Sequence, residues 1–157
     1  PSHWDLVDLI ALIDEEQKPV GSTAGHALAG TSVLQPARLA DASRRFQVCK
    51  QAILDRDFAA FAEIVEQDST IMHAVMMTSQ PPLFYWAPTS LHLIKEIPQW
   101  RKEGLAVCYT LDAGANVHVL TTKKDMQTVE ERIQSVACVK SILRSTAGEG
   151  TRLCPIK

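Results

Sequence analysis

No stretch of this 157-residue chain stays apolar for the ~18 residues that a membrane-spanning helix requires, and no signal-peptide pattern opens it. An excess of charge of one sign is also missing. Lys and Arg number 16 against 18 Asp and Glu, for a net charge of −2, which leaves no electrostatic footprint for nucleic acid or an anionic membrane. Neither G-x-x-x-x-G-K-[ST] nor G-x-G-x-x-G occurs, so the chain holds no recognisable cradle for nucleotide phosphates. No C-x-x-C pair occurs either. Cys49, Cys108, Cys138 and Cys154 are scattered through apolar patterns and read as buried reduced thiols, which fits a reducing cytoplasm. The histidines at 3, 26, 73, 92 and 118 show no metal-ligand spacing, so no metal site is expected. What remains suits one domain over 1–157, with 46% hydrophobic residues to build a core. The chain opens on Pro1 rather than Met, which reads as a piece of a longer protein.

The organisation follows from periodicity. Residues 6–13, LVDLIALI, form a short apolar run expected to be a buried strand. Ser22 or Thr23 suits the N-cap of a helix through STAGHALAGTSVL. Pro36 starts the next helix, with a stripe of Leu39, Ala42, Phe46, Cys49 and Ile53 spaced 3, 4, 3 and 4, and with Arg38, Arg45 and Gln51 on the opposite face. Asp57 caps a third helix carrying Phe58, Phe61, Val65, Met72 and Val75. Asp68 interrupts that stripe, and a charge at a core position needs partners. Pro81 and Pro82 break this helix, Thr89 or Ser90 starts another, Pro98 kinks or restarts it, and Gly104 stops it. LAVCYTL and NVHVLTT then read as a two-strand hairpin. Asp125 caps a last long helix through Met126, Val129, Ile133, Val136 and Leu143, and TRLCPI forms a final strand. Strands segregated from helices predict an α+β sandwich: a ferredoxin-like plait, antiparallel sheet on one side and helices on the other, with extra helices after the first strand.

Few residues are placed for chemistry. Asp112 ends a strand and faces a loop of Ala113, Gly114 and Ala115, small enough to admit a ligand. It suits a general base, or else closes the turn through an Asx hydrogen bond. Ser22 and Thr23 offer hydroxyls and backbone amides at a helix start, which is either an anion site or simple capping. Asp68 is a structural hydrogen-bonded acid or a catalytic one. His73, four residues before Met77 on one helix face, fits core packing.

Three stretches, taken in order, resemble one family. VGSTAGH (Val20 to His26), MHAVMMTSQPPLFYW (Met72 to Trp86) and WRKEGLAVCYTLDAGANVHVL (Trp100 to Leu120) are similar to the second half of mevalonate diphosphate decarboxylases, members of the GHMP kinase superfamily. The resemblance implies a C-terminal domain of ferredoxin-like type. It implies an ATP- and Mg2+-dependent enzyme that phosphorylates the 3-hydroxyl of a phosphorylated mevalonate. The 3-phosphate then leaves as the carboxylate departs as carbon dioxide, giving an isopentenyl product. The family's Asp-Ala-Gly-x-Asn loop carries its catalytic aspartate, which matches Asp112, with Ala113 and Gly114 beside the substrate. Ser22 and Thr23 match the region that contacts substrate phosphate. A carboxylic acid of pKa ~4 is too weak a base to strip an alcohol proton unaided. Asp112 is therefore expected to act by positioning or in concert with phosphoryl transfer.

Two departures stand out. Ala115 replaces the proline usual in that loop, and the family's Gly/Ser-rich nucleotide loop and a substrate-orienting arginine belong to an N-terminal half absent from this chain. The expected partners are the phosphorylated mevalonate and that N-terminal domain; a homodimer is left open. These 157 residues alone are expected to be catalytically inert. A phosphomevalonate decarboxylase or mevalonate 3-kinase remains an alternative within the superfamily. A non-catalytic ferredoxin-like interaction module, using Phe84, Tyr85 and Trp86, is the alternative of another class.

Overall fold

The computed structural model describes residues 3–14 and 21–150. Its elements are β1 (Leu6–Leu12), α1 (Ser22–Ala29), α2 (Gln35–Asp55), α3 (Phe58–Met77), α4 (Pro88–Lys102), β2 (Val107–Thr110), β3 (Val117–Thr122), α5 (Met126–Ser135) and β4 (Ser141–Thr146). The strands form an antiparallel sheet in the order β2-β3-β1-β4, with the first strand of the chain at its interior. Leu9 lies opposite Val119 on one side and Arg144 on the other.

Alternation along β1 decides where the core sits. Val7, Leu9, Ala11 and Ile13 are buried, while Leu6, Asp8, Ile10 and Leu12 are only partly covered. The buried set meets Leu93, Ile97 and Trp100 of α4 and Val129 and Ile133 of α5, so these two helices cover one face of the sheet. The α2–α3 hairpin packs on the other face, reaching Cys108, Leu6 and Leu120 through Ala52, Phe61 and Ala62. Arg101 fastens this corner. It donates to both Glu66 oxygens at 2.7 and 2.9 Å and to the Val107 carbonyl at 2.8 Å, joining α4, α3 and β2.

Local signals behave as their chemistry requires at several ends. The Asp57 carboxylate accepts from the Ala60 amide at 3.0 Å. Gly104, at φ +102°, lets the Gly104 and Leu105 amides return to the Arg101 and Trp100 carbonyls and end α4. Pro98 sits within α4, which continues through it as one helix.

Other expectations are corrected. The caps of α1 and α4 are Gly21 and Ala87, not Ser22 or Thr23 and not Thr89 or Ser90. Pro88 takes the first turn of α4, where its missing N–H costs nothing. Asp125 does occupy the cap position of α5, but its side chain accepts from the Ala106 amide at 2.9 Å instead of capping the helix. That helix ends at Ser135. Leu143 belongs to β4, because the second edge of β1 pairs with Ser141–Thr146. The expected strand TRLCPI and Cys154 lie outside the described residues. Cys108 is buried, Cys49 half-buried and Cys138 exposed, so Cys138 departs from the expected burial.

The largest correction concerns α2. Leu39 and Phe46, expected to face inward, are 60% and 64% exposed, while Arg45 is buried at 4%. The inward face is the charged one because Arg45, its buried cation, is fully partnered. Arg45 donates to Asp68 at 2.7 Å, to Asp41 at 3.0 Å and to the Arg38 carbonyl at 3.1 Å.

On the sheet face away from α4 and α5, His118 Nδ1 lies 2.8 Å from Asp8 Oδ2. The hydrogen bond to Asp8 raises the His118 pKa against the opposing effect of burial, with the Asp112 charge adding to the rise. A raised histidine pKa stabilises the fold fully below the ordinary value of 6.5, and that contribution is lost as pH climbs through the folded value. Asp8→Asn is therefore expected to cost more stability near pH 5.5 than near pH 8.5. Urea midpoints at the two pH values measure this, and equal losses would rule out the linkage.

Candidate functional site

Past Thr110 the β2–β3 ladder stops, and Leu111 is left buried without a strand partner. The Ser69 hydroxyl of α3 supplies both missing bonds. It accepts from the Leu111 amide at 3.0 Å and donates to the Leu111 carbonyl at 3.3 Å. The next residue is Asp112. The turn after it is closed by the Gly114 amide donating to the Asp112 carbonyl at 2.8 Å, so backbone, not an Asx bond, makes the bend. The Asp112 carboxylate makes no hydrogen bond or ion pair among the described residues and is exposed.

The far end of the loop is pinned twice. Ser90 donates to the Ala115 carbonyl at 2.5 Å, and Asn116 Oδ1 accepts from the Ile13 and Asp14 amides at 2.9 and 3.0 Å. Proline is not needed at 115 to hold this path. Three anchors already fix it, so the conformational freedom that alanine restores, up to ~1 kcal/mol in the unfolded chain, is a modest loss.

Asp112 and Ala113 open onto a cavity of about 510 Å³. Ser22 and Gly25 of α1, Arg38 of α2, and Asp68, Ser69 and Met72 of α3 share its lining. Ser22 and Asp112, separated by most of the described chain, therefore meet in one space. Thr23 and Gly114 do not line it: Thr23 is exposed beyond Ser22, and Gly114 is buried behind the loop. Gly25 lets α1 sit close, since a Cβ there would lie 2.6 Å from the Tyr85 hydroxyl.

The two acids differ. Asp68 is half exposed at the cavity and held by Arg45, which matches a structural, hydrogen-bonded acid. It does not occupy the core position that the α3 stripe assigned to it. Asp112 has no such counter-ion. His73 lies behind, 1% exposed, with its ring 5.0 Å from Trp86 and 6.1 Å from Tyr85. Burial holds its pKa below the ordinary value, against the upward pull of its hydrogen bond with the Leu111 backbone and of the Asp112 charge. It is a packed, neutral histidine, as the helix spacing implied.

Arg38 is the residue that sequence reasoning placed wrongly. The apolar stripe assigned it to solvent, yet it lines the cavity. The signal was there in the spacing Arg38, Asp41, Arg45, which lies on one helix face with Asp68 available across from it. Among the described residues no group of three or more His, Cys, Asp or Glu side chains is arranged to hold a metal, and no helix is long and apolar enough to cross a membrane.

Comparison with known proteins bears on the family and the fold. Residues 8–154 match the model of the mevalonate 5-diphosphate decarboxylase C-terminal domain. The diphosphomevalonate decarboxylase of Candida albicans is 38% identical over 117 residues, covering 73% of this chain and 32% of that relative. The crystal structure of mevalonate diphosphate decarboxylase from Staphylococcus aureus superposes with a TM-score of 0.84 at 29% identity, over 90% of this chain and 43% of that one. A structure described as MDDEF in complex with MVAPP, AMPPCP and magnesium gives a TM-score of 0.84 at 30% identity, over 93% of this chain and 45% of that one. The chain thus spans about a third of the first of these relatives. The match over nearly its whole length and the shared fold carry the conclusion: this chain belongs to the mevalonate 5-diphosphate decarboxylase family, in which it corresponds to the C-terminal domain.

Proposed function

We propose that this chain is the substrate-side domain of an ATP-dependent mevalonate 5-diphosphate decarboxylase, with Asp112 as its catalytic residue and Ser22 and Ala113 beside the substrate, Thr23 and Gly114 flanking them outside the cavity. The observation that carries this reading is the convergence of Ser22, Asp112 and Ala113 on one cavity. The uncommitted Asp112 carboxylate is free to accept a hydrogen bond from the substrate's 3-hydroxyl and aim its oxygen at the phosphoryl donor. A tertiary alcohol is too weak an acid for a free carboxylate to ionise it outright, so the proton would pass to Asp112 as the new O–P bond forms and the phosphorus bond to the ADP leaving group breaks. The new 3-phosphate then leaves with the C–O electron pair, the C1–C2 pair becomes the alkene, and carbon dioxide departs. Ser22 and the first turn of α1 suit the phosphate end.

ATP and magnesium do not fit the residues described here. These residues include no metal-ligand group of three and no glycine-rich phosphate loop. The nucleotide site belongs to the part of the relatives' length that this chain does not span, and no step is assigned to it through these side chains. Against an interaction module stands the packing of Tyr85 and Trp86 on His73; of the three aromatics only Phe84, 73% exposed, is presented outward.

The test is product analysis of the full-length protein with ATP, given mevalonate 5-phosphate and mevalonate 5-diphosphate separately. Carbon dioxide with an isopentenyl product is expected from the diphosphate. ADP without carbon dioxide would make it a 3-kinase, and no turnover of either would overturn the reading. This chain alone is expected to release no carbon dioxide in an ATP-dependent manner, and release by the isolated domain would show that it needs no second half. Asp112→Asn in the full-length protein is expected to lower kcat by about three orders of magnitude or more, a scale in keeping with general base and positioning roles. Circular dichroism should stay unchanged; a near-normal rate would return Asp112 to being a turn residue.

A further inference from the structure

Of the side chains that line the cavity, Arg38 alone carries a permanent positive charge. Its Nε is shielded from water and has no hydrogen-bond partner, and its guanidinium forms no ion pair among the described residues. Arg45 shows by contrast what a satisfied arginine looks like on the same helix face, two turns later: Asp41, Asp68 and a backbone carbonyl occupy its donors. Asp68 is the nearest acid of the lining to that network, and Arg45 already holds it. Arg38 therefore brings a charge with no ion-pair partner to the lining of a space that also holds Ser22 and Asp112. A guanidinium that lines a cavity without an ion-pair partner offers an entering anion charge-assisted hydrogen bonds.

We propose that Arg38 binds the terminal phosphate of the substrate and makes the site prefer a 5-diphosphate over a 5-monophosphate. The proposal rests on the decarboxylase reading above. Ser22 and the α1 amides are neutral donors and suit one phosphate group. The second phosphate adds about one further negative charge, and the bidentate geometry of arginine matches it where serine and threonine cannot. The phosphate count that Ser22 and Thr23 leave open is thus set from α2, by a residue that an apolar stripe had disguised as a solvent-facing one.

The experiment is calorimetric binding of mevalonate 5-diphosphate and 5-monophosphate to the full-length protein without nucleotide, for the natural protein, Arg38→Gln and Arg38→Lys. Arg38→Gln is expected to weaken the diphosphate about 30-fold and the monophosphate less than about 3-fold, in the range of a lost charge-assisted contact. Arg38→Lys should recover part of the diphosphate affinity. Equal weakening of both ligands, or no weakening of either, overturns the assignment. So does a fall in thermal midpoint for Arg38→Gln with both affinities intact, since the role would then be structural. If the natural protein binds neither compound, the decarboxylase reading itself fails, and that result is distinct from a variant that merely binds like its parent.

Discussion

One hydroxyl sets the geometry of the site. Where β2 leaves the sheet, the Leu111 N–H and C=O are buried, and leaving such a pair unsatisfied costs about 1–3 kcal/mol per group. Ser69 satisfies both from α3. Because the same helix carries Asp68, Met72 and His73, the register between α3 and the strand end also fixes the depth of the cavity and the height at which Asp112 stands. The bonds of Ser90 to Ala115 and of Asn116 to the end of β1 then hold the returning half of the loop, so the acid projects from a frame fixed at three points. Few rotatable groups separate it from rigid secondary structure, which is what a positioning role demands.

Electrostatics completes the frame. On α2 the face turned toward α3 is charged, and beyond Arg38 its charges cancel locally: Asp41 is shared by Arg44 and Arg45, Asp68 is held by Arg45, and Arg44 beside Asp41 draws its pKa down to about 2. Such a network keeps cations and carboxylates close to a cavity without leaving them free to collapse into it. It also shows why the α2 face was illegible in sequence. A 3-4-3-4 apolar rhythm normally marks the buried side of a helix, and Leu39 and Phe46 follow it on a shoulder turned to solvent. The rule reads transfer free energies one residue at a time. It has no way to see that Asp68, 23 residues beyond Arg45, would neutralise a buried guanidinium.

Other parts were legible because their causes are local. The alternation in β1, the hairpin of β2 and β3, the Asp57 cap and the glycine stop at Gly104 depend on neighbours within a few residues. The α+β class followed from the order of those elements. The errors lie where a distant partner decides: Asp125 abandons its cap for the Ala106 amide, and Leu143 leaves a helical pattern to pair beside β1. The site was half legible. Asp112, Ala113 and Ser22 could be picked from residue type and place, and the family resemblance sharpened them. Arg38 was missed: its spacing with Asp41 and Arg45 marks a charged face, but only the folded arrangement displays that Arg38, unlike Arg45, has no counter-ion.

The interior place of β1 carries a consequence for how the chain comes into being. Its partners are Val117–Thr122 and Ser141–Thr146, more than a hundred residues downstream, and no strand in between pairs with it. Contacts of that span are slow to close and rank among the last to be rewarded in folding. On a ribosome adding ~5–20 residues per second, β1 emerges and then waits roughly 5–20 seconds for its first neighbour. Throughout that interval Val7, Leu9, Ala11 and Ile13 form an unpaired, β-prone segment with only one charge, Asp8, among them. The α2–α3 hairpin, whose contacts are local, is able to assemble meanwhile. The nascent chain thus carries an unshielded, aggregation-prone strand during that delay, a hazard that no contact in the finished structure offsets.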